Sequence, residues 1–135
     1  MKAIIPYLNF DGKTREAMLF YRDCTGGELT MQSFADAKIP GPPGSERRIL
    51  HAHLTCKNGE LMASDTMPDH PFTQGNNIHI SFQCDSVEEI ERLFKNFSDG
   101  ATITMPLADQ FWGAKFGMLI DKYGVNWMFN CELSK

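Results

Sequence analysis

Basic clusters, cysteine pairs and long apolar runs are all scarce in this sequence, and each shortage removes a class of function. Of the 13 lysines and arginines only Arg47 and Arg48 are adjacent, and 17 acidic residues leave a net charge of −4. A chain of that balance offers no electrostatic footprint for a polyanion, so no nucleic-acid partner is expected. No apolar run approaches the roughly 20 residues that span a bilayer. The opening MKAIIPYLNF lacks the apolar segment and small-residue cleavage site of a secretory signal. A cytoplasmic location and no membrane partner are the resulting expectations. Cys24, Cys56, Cys84 and Cys131 stand far apart, with no C-x-x-C pair for a zinc knuckle or a redox dithiol. Four buried thiols in a reducing compartment is the expectation.

What is present suits one compact domain, or two small modules, in 135 residues of which 42% are hydrophobic. Residues 3 to 10, AIIPYLNF, read as a strand, and DGKT opens a helix with Ala17, Phe20, Tyr21 and Cys24 on one face. Gly26-Gly27 ends that helix, and residues 28 to 35 read as a second strand. Residues 36 to 48 hold three prolines and two glycines and therefore form a loop, read either as a lid or as a surface excursion. ILHAHLTC and ELMASD then flank Lys57-Asn58-Gly59, a strong hairpin signal.

The order repeats from residue 78. IHISFQC reads as a strand, and Ser86 with Glu89 makes a capping box for a helix carrying Val87, Ile90, Leu93, Phe94 and Phe97. Gly100 closes it, and TITMPL, AKFGMLI and VNWMFNC supply three more strands. Aligning the halves sets Phe20-Tyr21 against Leu93-Phe94 and Gly59 against Gly124. The predicted fold is α+β, two βαβββ modules at about 1–70 and 74–135 of a single domain spanning 1–135.

Two such modules, with the motifs PYLNF, EAMLFY, LMASD, FWGAKFG and DKYGVNWM, resemble the PhnB-like branch of the vicinal-oxygen-chelate superfamily, the glyoxalase and bleomycin-resistance fold. The resemblance covers nearly the whole chain. It implies a curved mixed sheet around a cavity, a homodimer, and, in metal-using members, ligands on the first and last strand of each module. Carried over, the four ligand positions are Ile5, Ala63, His79 and Met128. Isoleucine and alanine have no donor atom, and a thioether is a soft, weak ligand, so no metal and no cofactor are expected. The family also carries a ubiquinone-pathway methyltransferase label, but no glycine-rich strand-to-helix loop suited to a nucleotide-like methyl donor is present.

Within that frame the expected partner is a small, partly aromatic molecule, bound without metal in an apolar cavity between the modules. His79 is the candidate catalytic or hydrogen-bonding residue, read as a desolvated, neutral imidazole. Tyr7 and Asn9 share the face of Ile5, and Ser81 and Gln83 that of His79. Trp112 is read as closing the mouth or else as a core aromatic, and Met128 and Asn130 complete the ligand-binding set, with Asp65 near the rim. Trp127 alternates away from Met128 and packs under the helices, and Asp121 serves its turn. The alternative is an enzyme of the glyoxalase/dioxygenase superfamily, using His79 as a general base or a non-standard metal site. His51 and His53, alternate residues of one strand, are the rival metal ligands. Pairing Leu54 with Ala63 and His53 with Ser64 places both on the face opposite the cavity, unless the register slips.

Overall fold

The computed structural model describes residues 1–133. They form two compact units, Met1–Thr73 and a second from Gln74 onward, each a βαβββ module. Unit one runs β1 (Tyr7–Phe10), α1 (Thr14–Thr25), β2 (Glu28–Ser33), β3 (Ile49–Cys56) and β4 (Gly59–Asp65). Unit two runs β5 (Ile80–Gln83), α2 (Val87–Phe97), β6 (Thr102–Gln110), β7 (Ala114–Ile120) and β8 (Asn126–Glu132). Each unit has one open four-stranded mixed sheet, ordered β1-β4-β3-β2 and β5-β8-β7-β6. The first strand of each module lies parallel to the last, and the other pairs are antiparallel.

The first strands are shorter than the apolar runs suggest. Only Tyr7–Phe10 and Ile80–Gln83 find ladder partners, so residues 3–6 and 78–79 precede the sheets. In contrast, β6 continues beyond TITMPL to Gln110. It tolerates Pro106 because it is an edge strand, and its pairing with β7 is broken by two irregularities around Met105.

Helix α1 buries Thr14, Ala17, Met18, Tyr21 and Cys24, with Met18 rather than Phe20 in the stripe. Its N-terminus has no side-chain cap of its own; Asp65, at the end of β4, accepts from the Thr14 backbone N–H at 3.1 Å and from that of Ile49 at 2.8 Å. One buried carboxylate thus ties helix, β3 and β4 together. Gly26 ends the helix in the left-handed region, its N–H donating to the Arg22 carbonyl. In α2 the expected capping box forms: Ser86 Oγ accepts from Glu89 N–H, and Glu89 accepts from Asp85 N–H. The cap at its other end is Ser98, two residues before Gly100.

Beneath α2 lies an aromatic cluster of Phe82, Phe94, Phe97, Trp127 and Phe129, with ring centroids 4.8 to 5.6 Å apart in the paired contacts. Phe94 fits only because Gly117 is bare. A Cβ there would stand 2.7 Å from its ring.

The segment 36–48 runs mostly exposed over the surface and is tied down by hydrogen bonds. Phe34 N–H donates to Arg48 O, Ala35 N–H to Glu46 O and Ile39 N–H to Phe34 O, and Ser45 is buried with its hydroxyl on the Pro42 carbonyl. At its start, backbone and side-chain hydrogen bonds from Ser33 hold the Asp36 carboxyl below its ordinary range.

Candidate functional site

Ladder register decides which side chains face the helix and which face away. In unit one, Ala63 pairs with Ala52 and Leu8, Leu54 with Leu61 and Leu29, and Phe10 with Asp65. These residues are buried or half-buried and form the seat of α1. The opposite, open face carries Tyr7 and Asn9 from β1, Thr30 and Gln32 from β2, His51 and His53 from β3, and Glu60, Met62 and Ser64 from β4.

Two expectations change here. Gly59 is the first residue of β4 rather than part of the turn, so the hairpin closes over Lys57-Asn58, Cys56 pairs with Gly59 and His53 with Met62. The shift is two residues, which preserves the faces. His51 and His53 do lie opposite Ala63, but Ala63 lies under the helix, so the histidines share the open face with Tyr7 and Asn9. Asp65 likewise belongs to the buried framework and not to a rim.

The second correction concerns the repeat. The hairpin between β7 and β8 is longer, spanning Asp121–Val125 between the Ile120–Asn126 pair. Met128 stands opposite Ser81, as Met62 stands opposite Tyr7. Counting from the turn glycines misses by one residue. The partner of Met128 in the repeat is therefore Met62.

On the open face of sheet two, Met105 pairs with Met118 and Met118 with Met128, which gives three thioethers on three neighbouring strands. Phe116, opposite Asn130, extends this apolar strip. A polar string borders it: Asn130 Nδ2 donates to Gln83 Oε1 at 3.0 Å, and Gln83 Nε2 donates to Ser81 Oγ at 2.9 Å. Trp112, 53% exposed in the turn between β6 and β7, sets its ring edgewise against Phe116 at 5.9 Å. Periodicity puts Ser81 and Gln83 on one face, while Met128 comes from the family resemblance, and Asn130 and Trp112 from their places at the end of one strand and ahead of another. Met105, Met118 and Phe116 were not legible, although pairing VNWMFNC with AKFGMLI would have placed Met118 beside Met128.

His79 stands apart from both strips. It lies one residue ahead of β5 and is exposed rather than lined by apolar side chains. Trp127 packs under α2 as expected, its Nε1–H donating to buried Asp121 at 2.8 Å. Asp121 also accepts from the Tyr123 and Val125 backbone N–H groups, and is structural.

The open face of sheet one is polar. Tyr7 Oη lies 3.2 Å from His51 Nδ1, His53 Nε2 lies 2.6 Å from Glu60 Oε1, and Ser64 Oγ donates to Asn9 Oδ1 at 3.3 Å. The two imidazole centroids are 6.4 Å apart. Among the described residues no group of three or more His, Cys, Asp or Glu side chains gathers to hold a metal ion. Nor is any described helix long and apolar enough to cross a membrane.

The family model described as 3-demethylubiquinone-9 3-methyltransferase matches residues 2–129. The chain belongs to this PhnB-like family. Among curated proteins, YjdN of Escherichia coli is 29% identical over 136 residues, covering 93% of this chain and 92% of YjdN. Among solved structures, protein PA1353 of Pseudomonas aeruginosa is 41% identical with a TM-score of 0.89, covering 99% of this chain and 100% of that one. A Bacillus cereus PhnB protein is 32% identical, with a TM-score of 0.79 and coverage of 96% and 99%. A glyoxalase/bleomycin resistance protein/dioxygenase family enzyme from Burkholderia phytofirmans, 16% identical over 94% of this chain and 97% of its own, shares the fold with a TM-score of 0.65. The PhnB resemblance and the double βαβββ architecture are thus borne out.

Proposed function

We propose that this PhnB-like chain holds a small, partly aromatic molecule on the open face of its second sheet, without a metal. The observation that carries the reading is the strip of Met105, Met118, Met128 and Phe116 beside the hydrogen-bonded string Asn130–Gln83–Ser81. Thioethers are polarisable and conform to flat ligands, each sulfur–aromatic contact being worth about 0.3–1.5 kcal/mol. The string also has a direction. Each amide N–H₂ donates to the next residue, which leaves the Asn130 Oδ1 to accept from a ligand and the Ser81 hydroxyl to donate to one. An aromatic body with one donor and one acceptor group on its edge matches that pattern.

The methyltransferase activity in the family description does not carry over on these residues. The strand-to-helix connections are residues 11–13 and 84–86, with Gly12 the only glycine in either. Neither forms the glycine-rich cradle that approaches a nucleotide-like donor.

Calorimetric titration with a panel of planar aromatics bearing an amide and no acidic hydroxyl tests the proposal. Met128→Glu should abolish binding of any member that binds, whereas Glu60→Gln on the other sheet should leave it intact. If no member binds more tightly than about 1 mM, or if Met128→Glu changes nothing, the reading fails.

A further inference from the structure

We propose that the open face of sheet one is a second, separate site, a proton-accepting pair of imidazoles that takes a weakly acidic hydroxyl, phenolic or enolic, as its anion. The four residues that build it come from three strands: Tyr7 from β1, His51 and His53 from β3, Glu60 from β4. Each imidazole is held at one nitrogen only. With the Tyr7 hydroxyl donating to His51 Nδ1 at 3.2 Å, the His51 proton stands on Nε2. His53 donates Nε2–H to the Glu60 carboxylate at 2.6 Å, which leaves its Nδ1 as the basic atom. One ring therefore offers a donor and its neighbour, 6.4 Å away between centroids, offers an acceptor.

This arrangement suits a ligand O–H that gives up its proton. The O–H bond breaks, the proton moves to His53 Nδ1, and the electron pair stays on the ligand oxygen. His53 then carries N–H at both nitrogens, and the Glu60 carboxylate balances its new charge at hydrogen-bond distance. The oxyanion accepts from His53 Nδ1–H and from His51 Nε2–H. The titratable groups facing the pair are Tyr7 from β1, Glu28 and Glu60 from β2 and β4, and the two histidines themselves. Among the described residues no lysine or arginine stands on the strands at this face, so a ligand that arrives already charged finds Glu28 and Glu60 first. A neutral acid does not meet that repulsion. The structural alternative is a surface ion pair with no ligand, since the His53 and Glu60 side chains remain 31% and 36% exposed.

The test uses 4-nitrophenol, whose protonated and ionised forms absorb at different wavelengths, at the pH where it is half ionised in free solution. Binding to the intact chain should raise the ratio of ionised to protonated ligand by about threefold or more, half a pK unit. His53→Gln should erase the rise, Glu60→Gln should shrink it, and His51→Gln should weaken binding. Met128→Glu, on the other sheet, should alter none of these, which separates this site from the one proposed above. All variants are compared at matched thermal melts, which partly exposed positions permit. Absence of binding up to millimolar ligand, or an undiminished ionised fraction in folded His53→Gln, overturns the proposal. Displacement by an equal concentration of benzoate marks a general anion site and overturns the assignment to acidic hydroxyls.

Discussion

The two helices rest on their sheets in opposite ways. Helix α1 sits on aliphatic residues: the fully buried Ala52 and Ala63 lie in its seat among Leu8, Leu29, Leu54 and Leu61. Helix α2 sits on an interlocked set of rings, with Phe97 and Phe129 fully buried and Trp127 nearly so. The strand order and the parallel pairing of first and last strands are nonetheless the same in both units. Topology therefore tolerates either filling, provided each layer reaches native density. The open faces differ as much: imidazoles, a phenol and a carboxylate on the first sheet, thioethers and Phe116 on the second. Shared architecture has been kept while the two faces have diverged in chemistry.

Truncating the aromatic seat should cost most. Phe97→Ala is expected to destabilise by about 3–5 kcal/mol in a urea titration, because its neighbours are rigid rings that cannot collapse into the space. A loss below about 1 kcal/mol would mean that the cluster is not what holds α2. Next comes Asp121→Ala, at about 3 kcal/mol, since the Trp127 Nε1–H and two backbone N–H groups lose a buried acceptor. Calorimetric melting should show this drop, and an unchanged transition would contradict the role given to that carboxylate.

Filling the alanine seat reverses the experiment. Ala63→Leu should cost about 1–3 kcal/mol by forcing α1 away from β4, whereas His51→Gln, on the other face, should stay within about 0.5 kcal/mol. Equal effects would show that the faces have been assigned wrongly. Met128→Glu should cost less than about 1 kcal/mol, since the side chain is half-exposed on an open face. A larger loss would place Met128 in a packed core.

The smallest effect concerns reactivity rather than stability. Burial, followed by the charge of Glu89, pushes the Cys84 thiol up to about 12. A raised pKa keeps it as the neutral thiol through the range where a free thiol ionises, and only the thiolate is nucleophilic. Iodoacetamide at pH 8.5 should therefore modify Cys84 far more slowly in the native protein than in urea, the native rate rising only as pH nears 12. Equal rates would contradict that environment.

Much of this fold was legible in the sequence because its signals are local. The βαβββ repeat, the Ser86–Glu89 box, the hairpin at Lys57-Asn58-Gly59 and the inward side of Trp127 all follow from residues a few positions apart. Faces in the first module were not legible, because they depend on which residue lies across the ladder. Gly59 and Gly124 look equivalent, but one begins a strand and the other sits inside a longer turn, and that single residue turned attention from Met62 to Ala63. His79 falls outside the sheet for a related reason: an apolar run does not tell where its pairing partner begins, and β5 starts one residue after it.

Methionine methyl groups report directly on ligand binding at the open face of sheet two. With ¹³C-labelled methionine methyls, titration of a planar aromatic from the binding panel should shift Met105, Met118 and Met128 together, in one saturable process. Met18, on the buried face of α1 in the other unit, should stay still. Shifts confined to Met1 or Met67, or uniform small drifts that include Met18, would contradict the account.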